Sequence, residues 1–274
     1  MKYYLETNAL RALGSKIGSN KNLLSQSYTS TFSLFELAKG INRRTDTEKR
    51  IKLLSTLASF ELKVVEALPL EIIKAAYSDN VCYTQSDLVI SKINDYFSDK
   101  TSSEKDYDAL VENYEFSTKE YQIMIDKECA KPKPEPQYVT LDLNKILSPS
   151  EFEIPQSVRD LPKGTHPSRY FMEYIRKDFA IATFHSVYGN VRFSDQKILD
   201  MYNNKLDIYF FAVHAFELRK HSLRELAKKN DLLDLFHTAY LFEYDSMIVS
   251  DDKIYESILP EFNVMSVSDY KKLI

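Results

Sequence analysis

The chain begins with KYYLETNALRAL at residues 2–13. Its first apolar and aromatic residues are typical of a buried strand, which ends at Glu6, Thr7 and Asn8 before apolar residues recur at helical spacing. A strand leading directly into a helix is the opening unit of an α/β fold. In such folds ligands bind at the carboxyl ends of the strands, so polar residues that end a strand are well placed for chemistry.

The same alternation continues along the chain. QSYTSTFSLFELAKGI (26–41) predicts an extended segment near 27–31, then a helix to about Gly40 with Ser33 as N-cap and Glu36 at capping-box spacing. DTEKRIKLLSTLASF predicts a helix, ELKVVEAL a strand, and PLEIIKAAYS a helix that Pro69 opens. The tail from 231 reads as helix, the strand SMIVS, a short helix from Asp252, and the extended segment FNVMSV. We expect a three-layer α/β/α fold around a central, mostly parallel sheet.

The composition is that of a globular protein. Of its 274 residues, 44% are hydrophobic and 28% are charged, and the net charge is −4, which argues against a uniformly basic surface that coats nucleic acid. No apolar run approaches the ~18 to 20 residues that cross a bilayer, and the N-terminus lacks the apolar core of a secretion signal. We therefore expect a cytoplasmic protein with no membrane partner.

A change of character after residue 84 predicts an inserted segment. Residues 101–130 hold eight acids against three lysines, and the prolines of KPKPEPQ predict an extended connector near 131–136. Helical patterns return over 168–189 and over about 195–230. We assign 1–84 and 190–274 to a discontinuous core, and 85–189 to an acidic, mainly helical insertion.

Four acids lie near the ends of predicted elements in the two halves of the core. Glu6 and Asp252 follow strands, whereas Glu36 and Asp234 lie early in helices. If the halves share one sheet, these acids converge, and carboxylates at that density require a compensating cation such as Mg²⁺ or Mn²⁺. Alternatively they are ordinary surface charges, with Glu36 in a capping box and Asp251 or Asp252 as a helix cap.

Four segments in this order resemble the PIN-domain nucleases. YYLETNALRAL is similar to that family's first motif, STFSLFELAKGI to its second, and DLLDLFHTAYLFEYDSMIVSDDKIY to its third and fourth, with Asp234 and Asp252 18 positions apart. FNVMSVSDYKKLI resembles the last strand and closing turn. The resembling segments span 1–42 and 231–274, about a third of the chain.

The resemblance implies a site and an activity. Glu6, Glu36, Asp234 and Asp252 would be the catalytic residues and would bind Mg²⁺ or Mn²⁺, with Asp251 as an auxiliary acid and Thr7, Asn8 and Ser250 orienting the carboxylates. The implied function is endonucleolytic cleavage, of RNA rather than DNA, by metal-activated water. The alternative is a catalytically weak PIN-like scaffold that binds nucleic acid or protein.

Glu6 and the overall negative charge favour that alternative, and the length of the chain weakens a plain toxin assignment. Glu6 stands where the family ordinarily has Asp, and its extra methylene moves the carboxylate by roughly 1.5 Å, beyond the ~0.5 Å tolerance of a preorganised site. The chain is also about twice as long as the VapC-type toxins of the family, in which the insertion has no counterpart. Whether the chain binds a second copy of itself or a protein inhibitor stays open.

Basic residues lie next to two of the acids. The first group precedes Asp234 and comprises Arg219, Lys220, Arg224, Lys228 and Lys229. The second follows Glu36 and comprises Arg43, Arg44, Lys49 and Arg50. We predict that both groups contact the phosphates of a single-stranded or structured RNA. A solvated helix face is the alternative for each group. His237, one turn after Asp234, is either near the site or an ordinary core or surface histidine.

Overall fold

A computed structural model of the chain describes residues 1–39, 41, 46–98, 104–130, 169–189, 191–223, 225–242, 246–259 and 263–274. Its sheet has five strands, β1 (Lys2–Leu5), β2 (Ser27–Ser30), β3 (Lys63–Val65), β4 (Ser246–Val249) and β5 (Val264–Met265). All neighbouring strands are parallel, in the order β3-β2-β1-β4-β5. The predicted α/β class is therefore confirmed.

Helices connect these strands. The shorter first set comprises α1 (Thr7–Leu13), a 3₁₀ segment (Gly14–Ser19), α2 (Lys21–Ser25), α3 (Thr31–Ala38), α4 (Thr47–Ala58) and α5 (Pro69–Ala75). The second set comprises α6 (Thr84–Asp95), α7 (Glu104–Ala130), α8 (Arg169–Tyr188), α9 (Asp195–Met201), α10 (Asp207–Leu223), α11 (Asp231–Thr238), α12 (Lys253–Ile258) and α13 (Val267–Leu273). Within the described ranges, none of these helices is both long and apolar enough to span a membrane.

Alternation along β1 creates the three layers. Tyr3 and Leu5 point to one face of the sheet and Tyr4 to the other, because successive side chains of a strand face opposite sides. The first face is covered by apolar residues of α1, α2, α4 and α13, including Leu10 and Tyr270. The second face is covered by α3, α5 to α8 and α10 to α12. Both faces of the central strand are therefore buried, as expected for a parallel sheet.

The segment predicted as an insertion packs on the core. α7 contributes Tyr107, Leu110 and Ile125, and α8 contributes Phe184, to the same apolar cluster that contains Tyr4 of β1. α7 lies against α6, α10 and α11. The predicted proline-rich connector at 131–136 lies outside the described residues.

Two local predictions were wrong. Ser30, not Ser33, caps α3, since its hydroxyl accepts from the Ser33 N–H at 3.1 Å; Glu36 is thus beyond the capping box. The single helix predicted over 195–230 is two helices, α9 and α10, separated at Tyr202, where the backbone is extended, and Asn204, which has a positive φ of 64°. The sequence does not show which of Ser30 and Ser33 is the cap, because both serines precede apolar residues. Nor does it show the break between α9 and α10, because the apolar residues of both helices follow one helical spacing.

The strand order places the topological switch point between β1 and β4. From β1 the chain adds β2 and β3 on one side, then returns to add β4 and β5 on the other. Leu5 pairs with Val249, so Glu6 and Ser250 follow neighbouring strands at the same sheet edge. Ligands of doubly wound sheets bind in the crevice at this point.

Candidate functional site

A cavity of about 330 Å³ opens at the carboxyl ends of β1 and β4. All four predicted acids line it: Glu6 from the end of β1, Glu36 from α3, Asp234 from the first turn of α11, and Asp252 from the loop after β4. Two parts of the chain that are remote in sequence thus meet in one cavity. The fold supplies the convergence that the element pattern predicts.

Glu6 is 3% exposed and serves as the N-cap of α1. Its Oε2 accepts from the Asn8 N–H at 2.7 Å, its Oε1 accepts from the Ala9 N–H at 3.3 Å, and the Ser250 hydroxyl donates to it as well. Burial raises the pKa of this carboxyl above its ordinary value, although His237 and these donors oppose the change. The Glu6 carboxylate is therefore folded back onto the first turn of its own helix.

Glu36 is fixed from two sides. The Thr7 hydroxyl donates to Oε2, and the same oxygen lies 2.9 Å from Nε2 of His237. Burial would raise the pKa of Glu36, but the adjacent His237, Lys39 and Thr7 outweigh it, so the pKa lies below its ordinary value. The surroundings of Glu36 thus favour its ionised form.

His237 links Glu36 to the central strand. Its Nδ1 lies 2.8 Å from the hydroxyl of Tyr4, which also contacts the hydroxyls of Ser30 at 2.8 Å and Ser33 at 3.2 Å. All of these groups are buried. Both ring nitrogens of His237 thus have a partner, Nε2 in Glu36 and Nδ1 in Tyr4, and the carboxylate is held by a chain of contacts that begins in β1.

Asp234 carries the strongest electrostatic signature. Burial, and then Asp252, Glu36, Asp231 and Glu6, raise the pKa of Asp234 to about 9. Its carboxylate has no hydrogen bond or ion pair among the described residues. Among the residues that the structure describes, the Asp252 carboxylate accepts only the Ile254 N–H, at 3.3 Å, as N-cap of α12. The two acids on this side of the cavity thus retain unused oxygen acceptors.

Asp251 and the residues predicted to orient the carboxylates differ in what they contact. Asp251 is exposed and accepts the Val267 N–H at 2.9 Å, so it supports the start of α13 and does not line the cavity. The Ser250 hydroxyl accepts from the Asp252 N–H at 2.9 Å as well as donating to Glu6, and Thr7 contacts Glu36. Asn8 holds Glu6 by its backbone N–H, while its side chain lines the cavity.

A second, larger groove of about 800 Å³ adjoins the acids between α10 and α12. We call it the α10–α12 groove. Lys228, Lys229 and Lys253 line it and are exposed. Lys229 and the acids Asp234 and Asp252 line both this groove and the acidic cavity. A polyanion in the groove would therefore reach the acids.

Two of the predicted phosphate contacts are engaged within the protein. Lys220 is 5% exposed and pairs with Asp231 at 3.3 Å, while Arg219 pairs with Glu225 at 3.3 Å and donates to Ser257. Buried, paired cations of this kind hold the chain around α11 rather than face solvent. Arg43, Arg44 and Arg224 lie outside the described residues.

Several further residues line the cavity. Arg50, a member of the predicted basic group after Glu36, brings positive charge to its wall, as do Arg11 and Lys39, which were not predicted. Tyr114, Glu115 and Thr118 of α7, also not predicted, form another side. Arg11 lies one turn after Thr7 on α1, a spacing that places both on one helix face and offers a usable signal. No signal links α7 to the site, because its contact depends on tertiary packing alone.

The fit of a divalent cation is a matter of donor type and charge. Carboxylate oxygens whose negative charge exceeds the nearby positive charge suit Mg²⁺ or Mn²⁺. The raised pKa of Asp234 indicates such an excess of negative charge around it. Tyr255, 1% exposed, has a hydroxyl with no hydrogen-bond partner within the described ranges, and it interacts electrostatically with Asp234 and Glu6. As placed, no three His, Cys, Asp or Glu side chains of the described residues lie close enough to share an ion. The donor types therefore suit Mg²⁺ or Mn²⁺, whereas the described side chains as placed form no coordination cluster.

Comparison with known proteins returns no relative. No protein-family model matches the chain, and neither a curated protein nor a solved structure matches it.

Proposed function

We propose that the protein is a PIN-like, divalent-metal-dependent endonuclease that hydrolyses phosphodiester bonds of RNA. The observation that carries the proposal is the convergence of Glu6, Glu36, Asp234 and Asp252 in one cavity at the topological switch point. Such an acidic site is not needed for folding, because crowding carboxylates costs free energy. The preference for RNA rests on the resemblance of the sequence motifs.

In the proposed reaction, Glu6, Glu36, Asp234 and Asp252 would hold Mg²⁺ or Mn²⁺. The chemistry that such an ion would supply is activation of water and neutralisation of the charge that develops on the attacked phosphate. Thr7 and His237 fix the direction of the Glu36 carboxylate, and Ser250 fixes that of Glu6. No side chain of the site needs to act as a nucleophile.

Substrate binding falls to the exposed lysines beside the acids. Lys228, Lys229 and Lys253 in the α10–α12 groove provide the positive charge that a phosphate backbone requires next to an acidic cavity. Without these lysines, the negative charge of the acids would repel the phosphates of the substrate.

The test is Mn²⁺-dependent cleavage of an internally structured, end-labelled single-stranded RNA by the wild-type protein and by Asp234→Asn. We expect the substitution to lower the rate at least ~100-fold, because it removes a carboxylate oxygen whose negative charge binds the cation. Glu120→Ala, an exposed acid of α7 outside the cavity, is the matched control and should cleave like wild type. Equal cleavage by Asp234→Asn and wild type would refute the site.

The second candidate, a weak or inactive PIN-like scaffold, is favoured by one observation. Both oxygens of Glu6 already accept N–H groups of α1, which leaves them less available to a metal. The same assay separates the candidates. A wild-type protein that binds RNA but does not cleave it at saturating Mn²⁺ is the scaffold.

A further inference from the structure

A third cavity, of about 420 Å³, is formed by α1, the 3₁₀ segment after it, and α4. We call it the α1–α4 groove. Four bases line it, Arg11, Lys49, Arg50 and Lys52, against the single acid Asp46. Arg11 and Arg50 also line the acidic cavity, just as Lys229 links that cavity to the α10–α12 groove. The three cavities are therefore linked through shared wall residues, with the acidic cavity between the two grooves.

The charges in the α1–α4 groove are poorly compensated by the protein. Lys49 meets Asp46 at 3.0 Å, but both side chains are largely exposed, and such pairs contribute little. Asp46 interacts with Arg50 and Arg11 as well, so one carboxylate serves three cations. Lys52 is exposed and has no ion pair among the described residues.

Arg50 is held in place by the backbone rather than by an acid. Its Nη1 donates to the carbonyl oxygens of Glu36 at 3.2 Å and Leu37 at 3.0 Å, at the carboxyl end of α3. Arg11 lines the same groove, and burial and the charge of Arg11 both lower the pKa of Arg50. Two guanidinium groups that line one cavity, one of them held by backbone carbonyls, are suited to a shared anion such as a phosphate.

We propose that the α1–α4 groove binds the backbone phosphates on one side of the scissile bond while the α10–α12 groove binds those on the other. This inference rests on the proposed function and specifies its substrate as a single strand that continues through the acidic cavity. The cavity is recessed, with the buried Glu6 in its wall, and a flexible strand can bend into it where a base-paired duplex cannot. The protein would then cut within a strand and would need nucleotides on both sides.

The test measures binding, not cleavage. Every protein carries Asp234→Asn, and fluorescence anisotropy in metal-free buffer follows a labelled 12-nucleotide oligouridylate and a 3-nucleotide one across a salt series. The groove variant is Lys49→Gln with Lys52→Gln, both exposed and outside the acidic cavity. The matched control is Lys21→Gln with Lys63→Gln, which removes the same charge; Lys63 begins β3 and so lies at the other end of the sheet.

We expect the groove variant to weaken binding of the 12-nucleotide strand about 5- to 20-fold at low salt. The slope of log affinity against log salt should become shallower by about 0.7 for each phosphate that the protein no longer neutralises. The control pair should stay within twofold of the parent, and the 3-nucleotide strand should not distinguish the variants. Thermal unfolding checks that all three proteins are folded alike.

Two outcomes would overturn the inference: equal affinities of the groove and control variants, whether or not both are weakened, or no binding of the 12-nucleotide strand by the parent. These binding results can be told apart from the test of the proposed function, which measures cleavage. A protein whose Asp234→Asn variant still cleaves RNA fails as an acid-site nuclease whatever the groove does. Conversely, a nuclease that Asp234→Asn inactivates, but whose groove variant binds normally, keeps its function and loses only this substrate path.

Discussion

At the level of single residues, Asp234 is a largely buried acid surrounded by other carboxylates. Its pKa of about 9 means that the metal-free protein keeps this carboxyl protonated at neutral pH, because burial and the neighbouring carboxylates disfavour its charge. In the unfolded chain the same group titrates near its ordinary value of ~3.9. The folded state therefore binds the proton more tightly than the unfolded state does.

The stability of the metal-free protein should consequently fall as pH rises between about 4 and 9. Below about pH 4 the Asp234 carboxyl is protonated in both the folded and the unfolded state, and its contribution to the free energy of unfolding is complete. Above about pH 9 it is ionised in both states, and that contribution is lost. We expect Asp234→Asn, which cannot ionise, to be more stable than wild type at pH 7 by about 1–3 kcal/mol, or several degrees in Tm. Unfolding followed by circular dichroism in EDTA from pH 4 to 9 measures this.

Near pH 4 the two proteins should converge, and saturating Mn²⁺ should reverse their order at pH 7, because ion binding stabilises only the wild type strongly. Lys63→Gln, at the far end of the sheet, serves as an unrelated charge change and should follow wild type throughout. A constant difference between Asp234→Asn and wild type over the whole pH range would show that the carboxyl is not perturbed.

The acids could be predicted from the sequence, but not the groups that hold them. The sequence predicts that Glu6 and Asp252 follow strands, since an apolar run that stops at an acid is a local signal. In the structure Glu6 directly follows β1, and Asp252 lies three residues after β4 as the N-cap of α12. His237 offered no such signal, because a histidine one turn after an acid is common. Its contact with Tyr4, 233 positions earlier, exists only once β1 lies beside α11.

At the level of elements, β1 both centres the sheet and orients the site. Tyr4 packs parallel to Tyr240 with ring centroids 5.3 Å apart, while its hydroxyl contacts His237, which in turn contacts Glu36. The neighbouring strand offers a comparable tyrosine: Tyr28 pairs with Tyr4 across β1 and β2, and its hydroxyl donates to the Tyr240 carbonyl at 2.7 Å. These two residues form a natural pair for separating stability from function.

We expect Tyr4→Phe and Tyr28→Phe each to destabilise the fold by about 1–2 kcal/mol, since each loses a buried hydrogen bond. Only Tyr4→Phe should also slow Mn²⁺-dependent cleavage, about tenfold, because Glu36 then loses the support that fixes its direction. Urea unfolding and single-turnover cleavage provide the two readouts. Parallel losses of activity in both variants would mean that Tyr4 acts through stability alone.

Element order was more predictable than element ends. Strand runs and amphipathic periods are properties of several consecutive residues, so β1 to β4 and the helices near them agree with the predicted pattern. The cap of α3 depends on which of Ser30 and Ser33 has extended backbone, and the break between α9 and α10 depends on Asn204. Such choices are made by tertiary contacts, which single-sequence patterns do not contain.

At the level of the whole molecule, α7 joins the predicted insertion to the site. Thr118 lines the acidic cavity. Farther along the helix, Gln122 donates to the Ala227 carbonyl at 2.9 Å, and Asp126 accepts from the Ala227 N–H at 2.9 Å. Two side chains thus clamp one residue of the short segment that carries Lys228 and Lys229 and leads into α11. The insertion therefore positions both the exposed lysines and the helix of Asp234.

Removing this clamp should loosen the segment without unfolding the protein. We expect Gln122→Ala with Asp126→Ala to increase the rate of trypsin cleavage after Lys228 or Lys229 about 5- to 30-fold, which corresponds to losing about 1–2 kcal/mol of local stability. RNA binding should weaken in parallel, since ordering the lysines then opposes association. Glu112→Ala with Glu120→Ala, two exposed α7 substitutions, provides the control. If trypsin attacks both double variants at the wild-type rate, α7 only covers the core, and the insertion has no part in holding the site.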